Sequence, residues 1–232
     1  MANLTGRERS TYVQKMFTRI AGRYDVMNRL MTFGQDQNWR KEVIRRAALT
    51  PGSRVLDLGA GTGDIALEIR TRTQAWPLAA DFTVEMMRVG QKRPGGDALD
   101  WCATDALNLP YADETFDAVV SGFLMRNVSS LPRALAEQRR ILKPSGRIVI
   151  LDTTRPPENI LAPFIRLHLN TVIPTLGKLI TGEAEAYTYL PDSTKAFLRA
   201  EELTTRLMDA KFQEIGFKRV MFGTIAIHWG RK

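Results

Sequence analysis

The sequence has few of the residues that build metal sites or disulfides. Its 232 residues include one cysteine, Cys102, and two histidines, His168 and His228. A single cysteine excludes an internal disulfide, and the scarcity of both residue types means that no metal centre is expected. A chain of this length can bury a full core without such cross-links. These counts favour a protein of a reducing compartment, and we expect it in the cytoplasm.

Long apolar runs are also missing. The most apolar stretch, residues 160–180, is interrupted by polar or helix-breaking residues that include Arg166, His168, Asn170, Pro174 and Lys178. It is therefore too polar to cross a bilayer by itself. No apolar run follows Arg7, Glu8 and Arg9, so no secretory signal is expected. The sequence predicts a soluble chain, or one that lies at the inner face of a membrane.

Positive charge is abundant. Lysine and arginine number 33 against 25 aspartates and glutamates, a formal net charge of +8, and ten of the cations lie in the first 46 residues. Such a balance favours anionic partners, either a membrane surface or nucleic acid. A solvated basic face explains the same pattern. No nucleic-acid-binding module is visible, so nucleic acid is not the expected partner.

The chain reads as helices followed by alternating strands and helices. Two or three helices are predicted before residue 50. Strands are predicted at residues 54–58, 78–80, 99–103, 116–121 and 147–151, with a terminal pair at 217–222 and 225–229. Helices are predicted at residues 84–91, 131–142 and 201–210. This alternation predicts an α/β fold, a mostly parallel sheet with helices on both faces. We expect residues 1–50 to form a cap and residues 51–232 a Rossmann-like domain, with a helical insertion at about 157–200.

The sequence RVLDLGAGTGD, residues 54–64, predicts a strand, a glycine turn and a helix. Glycines at alternate positions let the backbone approach a ligand closely, and helix-start N–H groups would face its polar part. The spacing G-x-G-x-G, preceded by Asp57, differs from the dinucleotide fingerprint and resembles the first motif of class I S-adenosylmethionine-dependent methyltransferases. Asp57 and the turn, including Gly59 and Gly61, would complement the ammonium and carboxylate of that cofactor. A tight turn without a ligand is the alternative.

Four further candidates lie at the ends of three successive strands, whose carboxyl ends meet at the ligand-binding edge of such a sheet. Asp81 is placed to accept hydrogen bonds from ribose hydroxyls, or to cap the next helix. Asp105 and Ala106 are placed to contact adenine, although Asp105 also fits a simple loop. Ser121 ends the fourth strand beside the expected cofactor.

Several segments resemble the UbiE-type C-methyltransferases of menaquinone and ubiquinone biosynthesis. They are YDVMNRLMTFGQDQNW (residues 24–39), FLMRNV (123–128), RILKPSGRIVILDTTRP (140–156) and AYTYLPDST (186–194). The resemblance implies a seven-stranded class I fold and S-adenosylmethionine as cofactor, with contacts at Thr62, Asp81, Asp105 and Ala106. It implies methylation of a polyprenylated quinol, most simply demethylmenaquinol. The benzoquinol step of ubiquinone biosynthesis and a basic RNA methyltransferase remain alternatives.

Two positions depart from this family. Asp36 stands where most members have a histidine, and Gly122 stands where some have a serine that contacts the cofactor. If the family histidine binds substrate or moves protons, Asp36 must act differently or another group must act. The neighbouring Ser121 is a candidate replacement for the missing serine.

The catalytic candidates are Arg126, Asn127 and Tyr24. Methyl transfer to a ring carbon requires a developing phenolate, which Arg126 would stabilise while Asn127 orients the ring or a water. A structural ion pair is the alternative for Arg126. Tyr24, with Asp25, would close the pocket from the cap. The apolar stretch at 160–180 fits a lid over the polyprenyl tail, burial against the sheet, or the interface of a homodimer.

Overall fold

The computed structural model describes residues 6–155, 171, 189 and 193–232. Seven strands form one sheet: β1 (Arg54–Leu58), β2 (Trp76–Asp81), β3 (Asp100–Ala103), β4 (Phe116–Gly122), β5 (Leu142–Thr153), β6 (Gln213–Val220) and β7 (Ile225–Arg231). Their order is β3-β2-β1-β4-β5-β7-β6. Strands β1 to β5 pair in parallel, and β7 runs antiparallel between β5 and β6. The predicted mostly parallel sheet is confirmed, and the terminal pair forms an antiparallel hairpin.

Helices cover both faces of this sheet. The helices are α1 (Gly6–Ile20), α2 (Tyr24–Met31), α3 (Asp36–Ala47), α4 (Asp64–Arg72), α5 (Val84–Gln91), α6 (Leu131–Ile141) and α7 (Ala200–Asp209). One buried cluster joins Leu56 of β1 with side chains of α6 and α7. A second joins the preceding residue, Val55, with side chains of α3 and α4. Neighbouring strand residues therefore point into opposite cores, as a sheet buried on both faces requires.

The helix predicted at 131–142 and the strand predicted at 147–151 leave residues 143–146 as a connection between them, which is wrong, because β5 begins at Leu142, immediately after α6. Leu142 is fully buried and pairs with Phe116, and regular pairing resumes at Arg147 opposite Ala118. The register shifts between these pairs, and Ser145 has a φ of +66°. The turn residues of this segment thus form an irregularity within a strand, because burial of Leu142 keeps the chain in the sheet.

The first two helices, α1 and α2, have their own apolar cluster. Met16, Ile20 and Met27 are buried together with Tyr189, and Tyr24 packs against them. The predicted apolar stripe of the first helices therefore exists, and it packs against Tyr189, which comes much later in the chain. The apolar residues of the 160–180 stretch lie outside the described residues, so the lid and the division into cap and domain stay predictions.

Candidate active site

A cleft opens at the carboxyl ends of the parallel strands, with a volume of about 830 Å³ counted with its open mouth. Seven of the eleven predicted site residues line it: Tyr24, Gly59, Gly61, Asp81, Asp105, Ala106 and Asn127. Apolar side chains complete the wall, among them Phe17, Phe82, Met86 and Leu107. These four residues were not among those predicted from the sequence, although Phe82 directly follows Asp81. The cleft combines strand-end carboxylates with an apolar wall, which is the character of a cofactor site.

The glycine turn approaches its neighbours too closely for larger residues. Gly59 has a φ of +70°, and a Cβ there would lie 2.9 Å from Leu124 Cδ1. Gly61 has a φ of +58°. Both torsions lie in the left-handed region that glycine adopts without strain. The turn is therefore shaped by backbone conformation and by contact with the segment after β4.

Most N–H groups of the turn donate hydrogen bonds within the chain. The expectation that the turn offers free N–H groups to a ligand is therefore corrected. The N–H groups of Gly59 and Ala60 both donate to the carbonyl of Ala80, and that of Gly63 donates to Ala60. The N–H of Gly61 donates to a carboxylate oxygen of Asp81. These donors are satisfied because the turn folds back onto the end of β2.

Asp81 both shapes the turn and faces the cleft. Its Oδ2 accepts from the Gly61 N–H at 2.8 Å, and its Oδ1 accepts from the Thr83 N–H at 2.7 Å. Burial raises its pKa above the ordinary value. Each carboxylate oxygen has a further lone pair, so two hydroxyl donors of a ligand can still bind. Asp105, whose Oδ1 accepts from the Leu107 N–H at 2.9 Å, keeps its other oxygen available.

Asp57 lies beneath the turn and is not among the residues that line the cleft. Its Oδ2 accepts from the Ala66 N–H in α4 at 2.9 Å, and only 1% of the residue is exposed. Burial raises its pKa to about 7, and the nearby Asp64 and Asp81 add to the rise. Its Oδ1 is buried without a hydrogen-bond partner among the described residues. A cationic ligand group at the turn would stabilise the ionised, buried carboxylate of Asp57, so the residues present fit the expected cofactor.

Thr62 and Ser121 are buried and likewise do not line the cleft. The Thr62 hydroxyl donates to Asp25 at 2.6 Å and accepts from Arg93 at 3.1 Å. The hydroxyl of Ser121 has no partner among the described residues. Gly122, and not Ser121, lines the cleft, and a Cβ at Gly122 would lie 3.1 Å from Ile65. A serine at this position would therefore crowd α4.

Arg126 forms a buried ion pair, the alternative considered for it above. Its Nη1 lies 2.6 Å from Oδ1 of Asp152 in β5, and these side chains are 6% and 1% exposed. The Arg126 backbone N–H also donates to Asp152, at 3.2 Å. Arg126 lines a neighbouring cavity together with Arg9 and Tyr189 rather than the cleft itself. Asp152 lies 26 residues further along the chain and was not identified from the sequence as a partner of Arg126.

Asn127 and Tyr24 face the cleft from two sides. The Asn127 amide donates to the Phe123 carbonyl at 3.0 Å and accepts from the Tyr189 hydroxyl at 3.0 Å. These bonds fix its orientation, and within the part of the chain that the structure describes they leave one N–H free to donate. Burial raises the pKa of Tyr24 above 10, so its hydroxyl keeps its proton at neutral pH.

Asp36, which replaces the family histidine, is a buried partner of cations. It is 1% exposed, and its Oδ2 lies 2.8 Å from Nη1 of Arg40. Its Oδ1 accepts from the Thr32 hydroxyl at 3.0 Å. It is not among the residues lining the cleft, so this chain uses the position for structure.

Solved structures share the fold at low sequence identity. The [4+2]-cyclase SpnF superimposes with a TM-score of 0.69 at 18% identity, over 95% of this chain and 94% of that chain. A possible histamine N-methyltransferase of Thermotoga maritima, described as S-adenosylmethionine-dependent, gives a TM-score of 0.64 at 20% identity, over 94% and 99%. Because one of these is a cyclase, the shared fold alone does not determine the reaction.

Sequence relatives are much closer. A protein of Desulfotalea psychrophila named ubiquinone/menaquinone biosynthesis C-methyltransferase UbiE is 47% identical, over 95% of this chain and 90% of its own. A demethylmenaquinone methyltransferase of Thermus thermophilus is 38% identical, over 93% of this chain and 99% of its own. The profile of the ubiE/COQ5 methyltransferase family matches residues 5–232. The predicted family is confirmed: this chain belongs to the ubiE/COQ5 methyltransferase family.

Proposed function

We propose that this protein transfers a methyl group from S-adenosylmethionine to a ring carbon of a polyprenylated quinol, converting demethylmenaquinol to menaquinol. The observation that carries the proposal is the cleft at the strand ends, which joins Asp81 and Asp105 on its cofactor side to Tyr24 and Asn127. The acceptor follows from the names of relatives that align along almost the whole chain.

The cofactor side is built from β1, β2 and the segment after β3. Asp81 would accept the two ribose hydroxyls, because a backbone N–H orients each of its two carboxylate oxygens at the cleft and each oxygen can accept a second hydrogen bond. Asp105 and Ala106 would contact the adenine, and the turn at Gly59 and Gly61 would hold the methionyl part. S-adenosylmethionine supplies an activated methyl group, so the protein needs no covalent nucleophile and acts by positioning.

The acceptor side is built from the cap and the segment after β4. Tyr24 keeps its proton at neutral pH because burial raises its pKa, so it would donate a hydrogen bond to the developing phenolate. The free N–H of Asn127 would orient the ring hydroxyl. Phe17 and Phe123 would exclude water from the reacting carbon.

Arg126 lines a cavity next to the cleft, and from there it would act on the acceptor. Its positive charge is balanced by Asp152, and its Nε is buried without a hydrogen-bond partner among the described residues. We propose that it contributes oriented N–H donors and fixes the chain that carries Asn127. Arg126 would therefore not stabilise the phenolate as an unpaired positive charge, because Asp152 balances its charge.

A benzoquinol acceptor is the second candidate. The relative from Desulfotalea psychrophila is named for both ubiquinone and menaquinone biosynthesis. An RNA acceptor is supported only by the net charge of +8.

The test is a methyl-transfer assay in which demethylmenaquinol, the demethylated benzoquinol and bulk RNA are offered separately with S-adenosylmethionine. We expect transfer to demethylmenaquinol, reduced in Asn127→Ala, with unchanged affinity for S-adenosylhomocysteine. Transfer only to the benzoquinol or to RNA would replace the proposed acceptor. Preferential binding of NAD over S-adenosylmethionine would refute the methyl donor as well.

A peripheral contact with an anionic bilayer would deliver the polyprenyl tail. In the described part of the chain, no helix is long and apolar enough to span a membrane. Beside Tyr24, however, large apolar side chains of α2 and the turn after it are exposed: Val26 by 56%, Leu30 by 44% and Phe33 by 72%. Exposed arginines, including Arg23 and Arg29, share this surface. Apolar side chains among cations fit the interface of an anionic membrane.

Flotation with anionic liposomes tests this contact. We expect the wild type to float at low salt and the Val26→Ser/Leu30→Ser/Phe33→Ser variant to stay in solution. The matched control is Trp76→Ser, which removes a side chain that is 68% exposed at the amino end of β2, whereas the cleft lies at the carboxyl ends of the strands. Flotation that is equal in all three proteins, or absent in the wild type, would contradict the proposal. Size-exclusion chromatography would separately test the predicted homodimer.

A further inference from the structure

A continuous chain of ion pairs and hydrogen bonds, here called the clasp, joins the first helices to the glycine turn. Its members come from α3, α4, α2, the turn, and the segment after α5, and no two of them are neighbours in sequence. In spatial order they are Asp36, Arg40, Asp64, Arg93, Asp25 and Thr62. The sequence indicates only the Asp36–Arg40 pair, which has the i,i+4 spacing of a helix; the other ion pairs and hydrogen bonds join separate elements.

One end of the clasp fixes the turn to α2. Oδ1 of Asp25 accepts from the hydroxyl of Thr62 at 2.6 Å, and its Oδ2 lies 3.2 Å from Nη1 of Arg93. The same Nη1 donates to the backbone carbonyl of Thr62 at 3.0 Å. Thr62 is only 1% exposed, so its hydroxyl and carbonyl are both committed to this contact.

The other end holds the arginines in place. Nη2 of Arg93 lies 2.7 Å from Asp64, the first residue of α4, and Nη2 of Arg40 lies 2.5 Å from the same carboxylate. Nη1 of Arg40 lies 2.8 Å from Asp36. Each guanidinium thus bridges two carboxylates, and the side chains of Arg40 and Asp64 are 10% and 16% exposed. Such sheltered pairs are weakly screened and geometrically specific.

The clasp connects the two sides of the cleft. Thr62 lies between Gly61 and Gly63 in the turn, and Gly61 lines the cofactor side. Asp25 directly follows Tyr24, which lines the acceptor side. A ligand that orders the turn would therefore also restrain the helix that carries Tyr24.

We infer that Asp25 is a positioning residue that transmits cofactor binding from the glycine turn to α2, and so places Tyr24 against the acceptor. The inference rests on the proposed function for the identity of the ligands. Coupling of this kind is reciprocal, so the acceptor and the cofactor each raise the affinity of the other. Asp36 takes part by holding Arg40, which gives a role to the residue that departs from the family.

Hydrogen exchange of the full-length protein tests the inference without turnover. The probe is S-adenosylhomocysteine at a concentration that saturates each variant, and the readout is the exchange rate of a peptide covering α2. We expect the probe to slow exchange in the wild type about 5- to 150-fold, the usual range for coupled sites. Thr62→Val and Asp25→Asn should lose this slowing, and Thr62→Ser, which restores a hydroxyl, should keep it.

The matched control is Thr18→Val. Thr18 also donates a hydroxyl hydrogen bond from the first helices to the domain, to Glu85 at 3.2 Å, but it does not touch the turn. This variant should keep the full slowing of exchange. If Thr62→Val does not fold, Asp25→Asn, which keeps the side-chain shape and leaves the turn sequence intact, decides the question.

The outcomes separate the inference from the proposed function. Binding of the probe with no change in α2, or with equal slowing in Asp25→Asn, would overturn the coupling and leave the proposed reaction intact. Methylation of the wrong acceptor, with slowing abolished in Asp25→Asn, would overturn the acceptor and leave the coupling intact. Failure of the wild type to bind the probe would overturn both.

Discussion

Arg126 and Asp152 provide a prediction in which stability and catalysis can be separated. The two side chains are 6% and 1% exposed and lie 2.6 Å apart. Truncating Arg126 to alanine leaves a buried carboxylate whose remaining donors among the described residues are the backbone N–H groups of residues 126 and 153. Removing one partner of a buried pair costs about 3–5 kcal/mol. Since domains are typically stable by about 5–15 kcal/mol, this loss is large.

The double variant R126M/D152N removes the unpaired charge and should recover most of that loss, because apolar or neutral replacements of buried pairs are often tolerated. Urea unfolding followed by circular dichroism measures the free energy of unfolding of the single and double variants. A loss below about 1 kcal/mol in Arg126→Ala, or a double variant no more stable than the single one, would refute the buried-pair reasoning.

Turnover of the same variants then tests the proposed role of Arg126 in the reaction. Both proteins lack the guanidinium, so both should lose turnover when assayed as folded protein, with affinity for S-adenosylhomocysteine nearly unchanged. Full activity of the double variant would remove Arg126 from the mechanism and leave it a purely structural role.

Three further predictions concern the cofactor side. The pKa of Asp57 is about 7 in the folded protein against an ordinary 3.8, so the folded state holds the extra proton between these values. The free energy of unfolding should therefore fall by about 4 kcal/mol as pH rises from about 4 to about 7, compared with the Asp57→Asn variant. Parallel urea titrations of the two proteins measure this difference, and equal pH profiles would contradict the prediction. Gly59→Ala should weaken S-adenosylhomocysteine binding in calorimetry and cost about 1–3 kcal/mol of stability, because its φ is +70° and Leu124 lies within 2.9 Å. The control Gly52→Ala, with a φ of +80° and no atom near the added Cβ, should lose stability but not affinity. Asp81→Ala removes a charged acceptor and should weaken the same ligand about 10- to 100-fold, whereas an affinity within twofold of the wild type would exclude the ribose role.

Much of the fold followed from local patterns in the sequence. The helix at Val84–Gln91 was predicted with its observed bounds, and β1 likewise, because apolar runs and turn residues mark such elements within a few residues. The start of β5 was missed, since the burial of Leu142 beside Phe116 depends on a partner strand. The strand-end carboxylates Asp81 and Asp105 were placed correctly at the cleft because parallel strands all end at one edge.

The roles of individual polar side chains were harder to predict. Asp57 faces Ala66 in α4, although its place before the turn indicated a direct contact with the ligand. Thr62 bonds to Asp25, a residue 37 positions earlier, although the family resemblance implied a cofactor contact. In both cases the competing partner comes from another element, which a linear motif does not specify.

The sequence by itself determined the alternation of strands and helices, the glycine turn and the family, because each is written in residues that are close together in the chain. Only the tertiary structure decided which carboxylate meets which arginine. Asp152 reaches Arg126 and Asp25 reaches Arg93 through packing of separate elements. A basic chain offers 33 cations, and burial and distance, which exist only in the folded chain, select the partners of each.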